Sequence, residues 1–419
     1  MLAIVALLAL SRHRAIDPIT PPARENFDAR LIARGAQLAA IGNCASCHTM
    51  RQRAPFAGGV PLATPFGTIH GSNITPDVQT GIGRWSQAAF DRAMRSGIAR
   101  DGSHLYPAFP YDHFTQLSGE DLKALYAFMM TRDPVLAATP ENKLNFPFNI
   151  RPLIAGWNLL FLRKQSFQPV STQSVEWNRG AYLAQSLAHC SSCHTPRNRL
   201  GGEKRDAAFG GGETEGWYAP PLNAKSPSPI PWDVAHMSEY LRTGIAPDHA
   251  IAGGPMQEVV SNLGQADEAD VRAIATYIVS LMGPVTAERQ KRAAASRERA
   301  AQPLSAITPR TEDAQIRQGA SIYAMACASC HDGGRGPTSN SALRLPLAVA
   351  VYDDDPRSLL RIVREGITPP DGARGRWMPA FQGVLNDEQL TSLAAYLRSE
   401  AANAPPWPDL ARTVRDTAP

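Results

Sequence analysis

The sequence predicts a mainly α protein built as three tandem domains, and three observations carry that prediction. One short motif occurs three times and accounts for every cysteine in the chain. Its copies are widely and evenly spaced: Cys44 to Cys190 is 146 residues, and Cys190 to Cys327 is 137. Each copy follows a helical stretch containing a glycine and precedes, at the far end of its repeat, a helix with an acid-rich start. At 419 residues the chain exceeds one ordinary domain, and a length prior of about two to four domains agrees.

The motif is Cys-x-x-Cys-His: Cys44-Ala-Ser-Cys47-His48, Cys190-Ser-Ser-Cys193-His194 and Cys327-Ala-Ser-Cys330-His331. Two intervening residues let both thiols form thioethers to the vinyl groups of one haem, and the adjacent imidazole then coordinates iron from one face. A single copy could be a zinc fragment or a redox thiol pair. Three complete copies with no cysteine left over make those readings improbable, so three covalently bound c-type haems are expected.

Composition fits a globular, loop-rich chain, with 43% hydrophobic residues, 35 prolines and 32 glycines. A net charge of +4 gives no case for nucleic-acid binding. Covalent haem attachment needs reduced thiols presented outside the cytoplasm, which implies export. Residues 2–10 are apolar but too short to span a bilayer, which takes about 20 residues, and they lack the basic lead of a signal peptide. They are read as the trailing half of a signal-anchor, against a chance apolar start.

The repeat parts are Arg34-Gly35-Ala36, Arg179-Gly180-Ala181 and Gln318-Gly319-Ala320 before the motifs. After them come helices starting at Ser118, Asp267 and Asn386 and carrying Tyr126, Tyr277 and Tyr396. These starts are good N-caps, each with a carboxylate or amide three residues on to complete a capping box. Leu390, Leu393 and Leu397 recur at helical spacing. A first helix before the motif, a last helix crossing it, and a glycine admitting an aromatic is the layout of a class I cytochrome c domain.

The boundaries are then an N-terminal lead (1–25), domain one (26–132), an apolar interdomain segment (133–174), domain two (175–282), a charged linker (283–310), domain three (311–400) and a tail (401–419). The linker, alanine-rich and charged, is expected to be a solvated helix, and the tail an extended wrap with a short final helix. The stretch 146–162 is aromatic and aliphatic, with Trp157 and Phe161, and belongs to neither haem domain. It is expected at a partner or membrane surface, against packing between domains one and two.

A relay cytochrome covers the second face of its iron with methionine, from a loop shortly before the last helix. Met378 fits in domain three, 47 residues after His331, and Met256 fits in domain two, 62 residues after His194. Met237 and Met282 read as core. In domain one the matching place, 61 residues after His48, holds Phe109, which cannot bind iron. The site is open, or another side chain serves, with His104, His113, Met94, Met129 and Met130 nearby.

Thr64-Pro-Phe-Gly-Thr68, Asn73-Ile-Thr-Pro-Asp77, Thr80-Gly-Ile-Gly-Arg-Trp85, Leu105-Tyr-Pro-Ala108, Glu176-Trp-Asn-Arg-Gly180 and Cys193-His-Thr-Pro-Arg-Asn198 carry a resemblance. With them the chain, from about residue 18 to 399, resembles the three-haem cytochrome c subunit of bacterial membrane-bound dehydrogenases. These are the alcohol, gluconate, sorbitol, aldehyde and nicotinate type enzymes. Alcohol-type members place methionine where this chain has Phe109 and lack a histidine at position 113, which favours His113 as replacement ligand, ahead of His104. The Phe109 version is similar to cytochromes that accompany molybdenum hydroxylases of aldehydes or N-heteroaromatics.

The resemblance implies an electron conduit at the periplasmic face of the inner membrane, with peripheral or N-terminal membrane contact. A catalytic subunit of molybdopterin, flavin or PQQ type, accompanied by a small subunit, would supply electrons, and ubiquinone or a cytochrome would accept them. No substrate site of its own is expected: no dinucleotide fingerprint follows a strand, and no cysteine remains for an iron–sulfur cluster. The alternatives are a multihaem peroxidase or a redox or gas sensor, each using an open haem in domain one.

Overall fold

The structure is a computed structural model that describes residues 11–309, 312–332, 342–368 and 377–418. The apolar start, the 310/311 boundary and Arg376 lie outside the described residues. Helices dominate, with short antiparallel strand pairings between them, so the mainly α expectation holds. The chain forms two compact units: Met1–Ser192 with Asn198–Gly202 and Gln265–Ile274, and Cys193–Arg197 with Glu203–Gly264 and Ala275–Pro419. The second repeat is thus divided between them. Among the described residues no helix is long and apolar enough to cross a membrane.

In the first unit, helix Ala29–Ile41 starts at Asp28, whose carboxylate accepts from the Arg30 and Leu31 amides. It crosses helix Gly119–Met130 where Gly35 meets the Ala124 carbonyl; a Cβ there would lie 2.0 Å from that oxygen and 2.6 Å from Phe128 Cβ. The absence of a side chain is what brings the backbones together. Leu38, Leu122 and Leu125 are buried on the facing sides, each contributing about 1.5–3 kcal/mol. Helix Val175–Gln185 meets the helix beginning at Glu268 in the same way, with a Gly180 Cβ only 1.8 Å from the Ala273 carbonyl.

This geometry corrects the aromatic register. Gly35 lies against Phe128, not Tyr126, whose hydroxyl instead donates to the Trp85 carbonyl at 2.8 Å. Phe128, Tyr277 and Tyr396 each stand four residues, about one helical turn, after the residue whose carbonyl meets the glycine. The capping boxes also need amending. The reciprocal box closes at Asn386 and Gln389, whereas the Ser118 amide donates to the Tyr182 hydroxyl and Asp121 turns elsewhere.

Strands Pro61–Thr64, Gly67–His70 and Lys143–Leu144 make one sheet, so residues 143–144, expected in the interdomain segment, complete domain one. Helix Ile154–Phe161 follows. Its Trp157 donates Nε1–H to the Leu200 carbonyl at 3.0 Å, and Phe161 packs on Gly202. Phe146, Leu159 and Leu160 are 79, 74 and 65% exposed. The apolar surface is therefore led by those three, with Phe148, Ile150 and Leu153 at 37, 40 and 38% in the same segment, while Trp157 and Phe161 are structural.

In the second unit, helices Ala314–Ala326 and Asp387–Tyr396 cross at Gly319, 2.1 Å in Cβ terms from the Ser392 carbonyl and 2.6 Å from Tyr396 Cβ. Tyr323, Leu360, Leu390, Leu393, Tyr396, Trp407 and Val414 share its core. The tail wraps as expected: Trp407 donates to the Asp353 carbonyl at 2.7 Å, and helix Leu410–Asp416 follows. The linker is helical over Ala287–Ala300 but only partly solvated. Ala293 and Ala300 cluster with Ile230 and Leu347, and Arg292 donates to the Ser228 carbonyl.

Candidate functional site

Each motif folds as a single helical turn: Cys44–His48, Ser191–His194 after Cys190, and Ala328–His331 after Cys327. In the first two the preceding residue is left-handed, Asn43 at φ 53° and His189 at φ 37°. Asparagine tolerates that region well and histidine less so. A helical turn sets residues three apart on one face, as two thioethers to one porphyrin edge require.

The three histidines share one arrangement. Nδ1 of His48 lies 2.6 Å from the Ser72 carbonyl, that of His194 2.7 Å from the Pro220 carbonyl, and that of His331 2.8 Å from the Leu343 carbonyl. A carbonyl only accepts, so the proton is on Nδ1 and the lone pair on Nε2. Burial also depresses the pKa of all three, keeping the imidazoles neutral. A neutral ring oriented through Nδ1 is the form a metal takes at Nε2.

The loops behind those carbonyls are built by the sequence. Asn73 is 2% exposed; its Oδ1 accepts from the Thr75 amide and hydroxyl, and its Nδ2 donates to Thr80 and to the Val135 carbonyl. That knot fixes Ser72 above His48, which gives the Asn73–Asp77 motif its physical role.

The thiols fit the same group. Burial, with Cys47 adjacent, pushes Cys44 up to about 12, burial raises Cys193, and burial, with Cys330 next, pushes Cys327 up to about 11. The placement of each pair on one helical turn suits attachment of both sulfurs to one group. Among the described residues no cluster of three or more His, Cys, Asp or Glu has metal-holding geometry. The residues present fit covalent haem.

Met256 stands in the first turn of helix Pro255–Leu263. Met378 pairs with Ile367 across a two-way bridge, amide to carbonyl at 2.9 and 3.0 Å. Met237 and Met282 are buried at 4 and 3% exposure, as expected of core. In domain one the bridge Ile98–His104 has the register of Ile245–Ile251 in domain two, so Phe109 is the counterpart of Met256.

His113 is buried, with Nδ1 3.0 Å from the Gln185 carbonyl and its ring 6.4 Å from that of His189. It stands at the wall of the second motif. Asp112 Oδ2 lies 4.0 Å from Nε2 of the same ring. His104 is buried, edge-on to His13 at 5.1 Å and 3.4 Å from Asn158 Nδ2.

Family models match three segments. The cytochrome c model covers residues 32–133 and 178–282. The model of cytochrome c oxidase, cbb3-type, subunit III covers 314–397. Among named proteins the chain is similar to a nicotinate dehydrogenase subunit of Pseudomonas putida, at 44% identity over 96% of this chain and 33% of that one. It therefore spans about a third of that relative. It is similar to the fructose dehydrogenase cytochrome subunit of Gluconobacter japonicus, at 35% identity over 96% of this chain and 85% of the relative. It is also similar to the gluconate 2-dehydrogenase cytochrome c subunit of Pantoea cypripedii, at 35% over 89% and 86%.

Proposed function

We propose that this chain, which belongs to the family of dehydrogenase cytochrome c subunits, relays single electrons through three c-type haems. They are held by Cys44, Cys47 and His48, by Cys190, Cys193 and His194, and by Cys327, Cys330 and His331. The observation that carries the reading is the repeated Nδ1-to-carbonyl bond at His48, His194 and His331, which leaves three neutral Nε2 lone pairs, each beside a pair of thiols on the same helical turn. Bound haem would supply one-electron ferric/ferrous chemistry.

The chain's own part would be to orient the His48, His194 and His331 imidazoles through their carbonyl partners and to supply a second ligand to each iron. Met256 and Met378 would raise the potentials of the second and third sites, and His113 would serve the first. The electron source is a catalytic dehydrogenase subunit of molybdopterin, flavin or PQQ type, with a small subunit. The acceptor is ubiquinone or a downstream cytochrome, and the location is the periplasmic face of the inner membrane. Intact mass of the matured chain should exceed the polypeptide by three haem equivalents, and a large dehydrogenase subunit should co-purify. A mass excess of two or fewer would overturn the reading. Phe109 at the ligand position keeps a peroxidase or sensor in view, and peroxide turnover by the isolated chain would favour that class.

A further inference from the structure

The second and third repeats meet within one unit, and the residues that meet are those flanking Met256 and, in the third repeat, residues 357–362 and Thr368, which follows the bridge partner of Met378. Trp217 lies flat against Gly254, two residues before Met256: a Cβ on Gly254 would fall 2.3 Å from the indole. Gly253 is covered by Ile362 of the third repeat. The hairpin carrying Trp217 is fastened to helix Arg357–Glu365. Ser358 Oγ accepts from the Tyr218 amide at 3.2 Å and donates to its carbonyl at 2.7 Å, and Arg361 Nε donates to the Gly216 carbonyl at 2.9 Å. Glu213 pairs with Arg357.

One side chain bridges the two loops directly. Gln257, next to Met256, donates Nε2–H to the Thr368 carbonyl at 3.1 Å. Thr368 follows Ile367, which exchanges both backbone hydrogen bonds with Met378. From one methionine to the other the path is therefore covalent bonds and hydrogen bonds, with no solvent gap. Electronic coupling decays less steeply along such a path than across space.

We propose that electrons pass between the second and third haem sites through these two methionine loops, and that Gln257 is the positioning residue that joins them. The step moves one electron: ferrous iron in one site becomes ferric, ferric iron in the other becomes ferrous, and no bond or proton changes. The proposal rests on the electron-relay reading.

The test is flash photoreduction of the haem-loaded full chain, following redistribution of the electron by transient absorption, in wild type and Gln257→Leu. Leucine keeps most of the volume and cannot donate. The expected result is a several-fold slower redistribution between the second and third sites, with all three midpoint potentials, the methionine-ligation absorption and the melting temperature unchanged. An unchanged rate overturns the proposal. A slower rate with shifted potentials also overturns it, because Gln257 then acts on pocket structure. Should Gln257→Leu not mature, Gln257→Asn, one methylene short of the carbonyl, gives the same readout. Failure of the relay reading is told apart beforehand, as wild type would then lack three haems by mass or methionine ligation in the second and third sites.

Discussion

Arg179 grips the carboxylate of Asp270 with two hydrogen bonds, Nε to Oδ1 at 2.8 Å and Nη2 to Oδ2 at 2.9 Å. Arg34 reaches the same carboxylate at 2.9 Å. Asp121 takes Arg34 at 3.5 Å, Arg179 at 3.7 Å and the Tyr182 hydroxyl at 2.8 Å. Each arginine precedes the helix-crossing glycine of its repeat, and each aspartate is the third residue after the cap. Equivalent residues of two repeats therefore pair across a local two-fold arrangement. The third repeat has Gln318 and Gln389 at those positions, and they bind within their own repeat, to Ser392 and Asn386.

Asp270→Ala removes the acceptor of two guanidinium groups at a site where the carboxylate side chain is 12% exposed. The expected loss is about 2 kcal/mol, the loss of charge-assisted hydrogen bonds from two part-exposed guanidinium groups that keep Asp121. Arg34→Ala, at a side chain 34% exposed, should cost about 1 kcal/mol or less. Urea unfolding of the haem-loaded chain measures both, and equal losses would contradict the shared-carboxylate geometry.

The crossing glycines make a second, sharper test. Gly180→Ala and Gly319→Ala place a methyl 1.8 and 2.1 Å from backbone oxygens, so helices must separate, at about 1–3 kcal/mol. Gly119, with nothing within 4 Å of its would-be Cβ, should accept alanine with a gain of about 0.4–1 kcal/mol from the unfolded state. Melting temperatures of the three variants should fall, fall and rise.

Much of this was legible in the sequence. The motifs, the caps and the crossing glycines all carry local chemistry that survives without coordinates. The aromatic was misplaced because Tyr126 and Phe128 both suit a helix interior, and only the distance from the cap, ten residues in all three repeats, distinguishes them. The partners of His48, His194 and His331 are backbone carbonyls, which no residue type announces. Gln257 gave no signal, because an exposed-looking glutamine acquires its role from Thr368, 111 residues away. The inward turn of Trp157 is likewise a tertiary fact, set by the Leu200 carbonyl.

Leu159 and Leu160 stand out of helix Ile154–Phe161, near Phe146 in sequence, and the apolar-surface prediction now rests on them. Replacing both leucines by aspartate should weaken co-sedimentation with anionic vesicles or co-purification with the dehydrogenase subunit, at unchanged thermal stability. Aspartate at Trp157 or Phe161 should instead lower the melting temperature. Equal binding by the double leucine variant would remove this surface from consideration.

His249 is fully buried, stacked on Trp232 at 3.8 Å, with Nδ1 3.2 Å from Ser228 Oγ. Burial first, then His236, depresses its pKa to about 3, against the pull of Asp233. Below pH about 6.5 the unfolded chain takes up this proton and the folded one does not. Stability is therefore lost as pH falls, by about 1.4 kcal/mol per unit, down to the folded value. His249→Phe keeps the stack and removes the titration. Between pH 6.5 and 5 its urea midpoint should depend less on pH than that of wild type, and parallel curves would contradict this.

The first haem site should be the electronic outlier. Phe109 occupies the register of Met256, and phenylalanine offers iron no lone pair. His113 already has Nδ1 on the Gln185 carbonyl at 3.0 Å, the orientation that His48, His194 and His331 share, which leaves Nε2 as its basic nitrogen. Imidazole donates more strongly than a thioether and lacks its preference for ferrous iron, so His113 ligation would put this potential below the other two. Spectroscopy of the haem-loaded chain should give one low-spin bis-histidine signal that His113→Ala abolishes. Its survival in His113→Ala but not in His104→Ala would move the ligand to His104, and a high-spin signal in wild type would mean an open iron. Phe109→Met should restore a methionine-type spectrum, since the register that places Met256 places residue 109 as well.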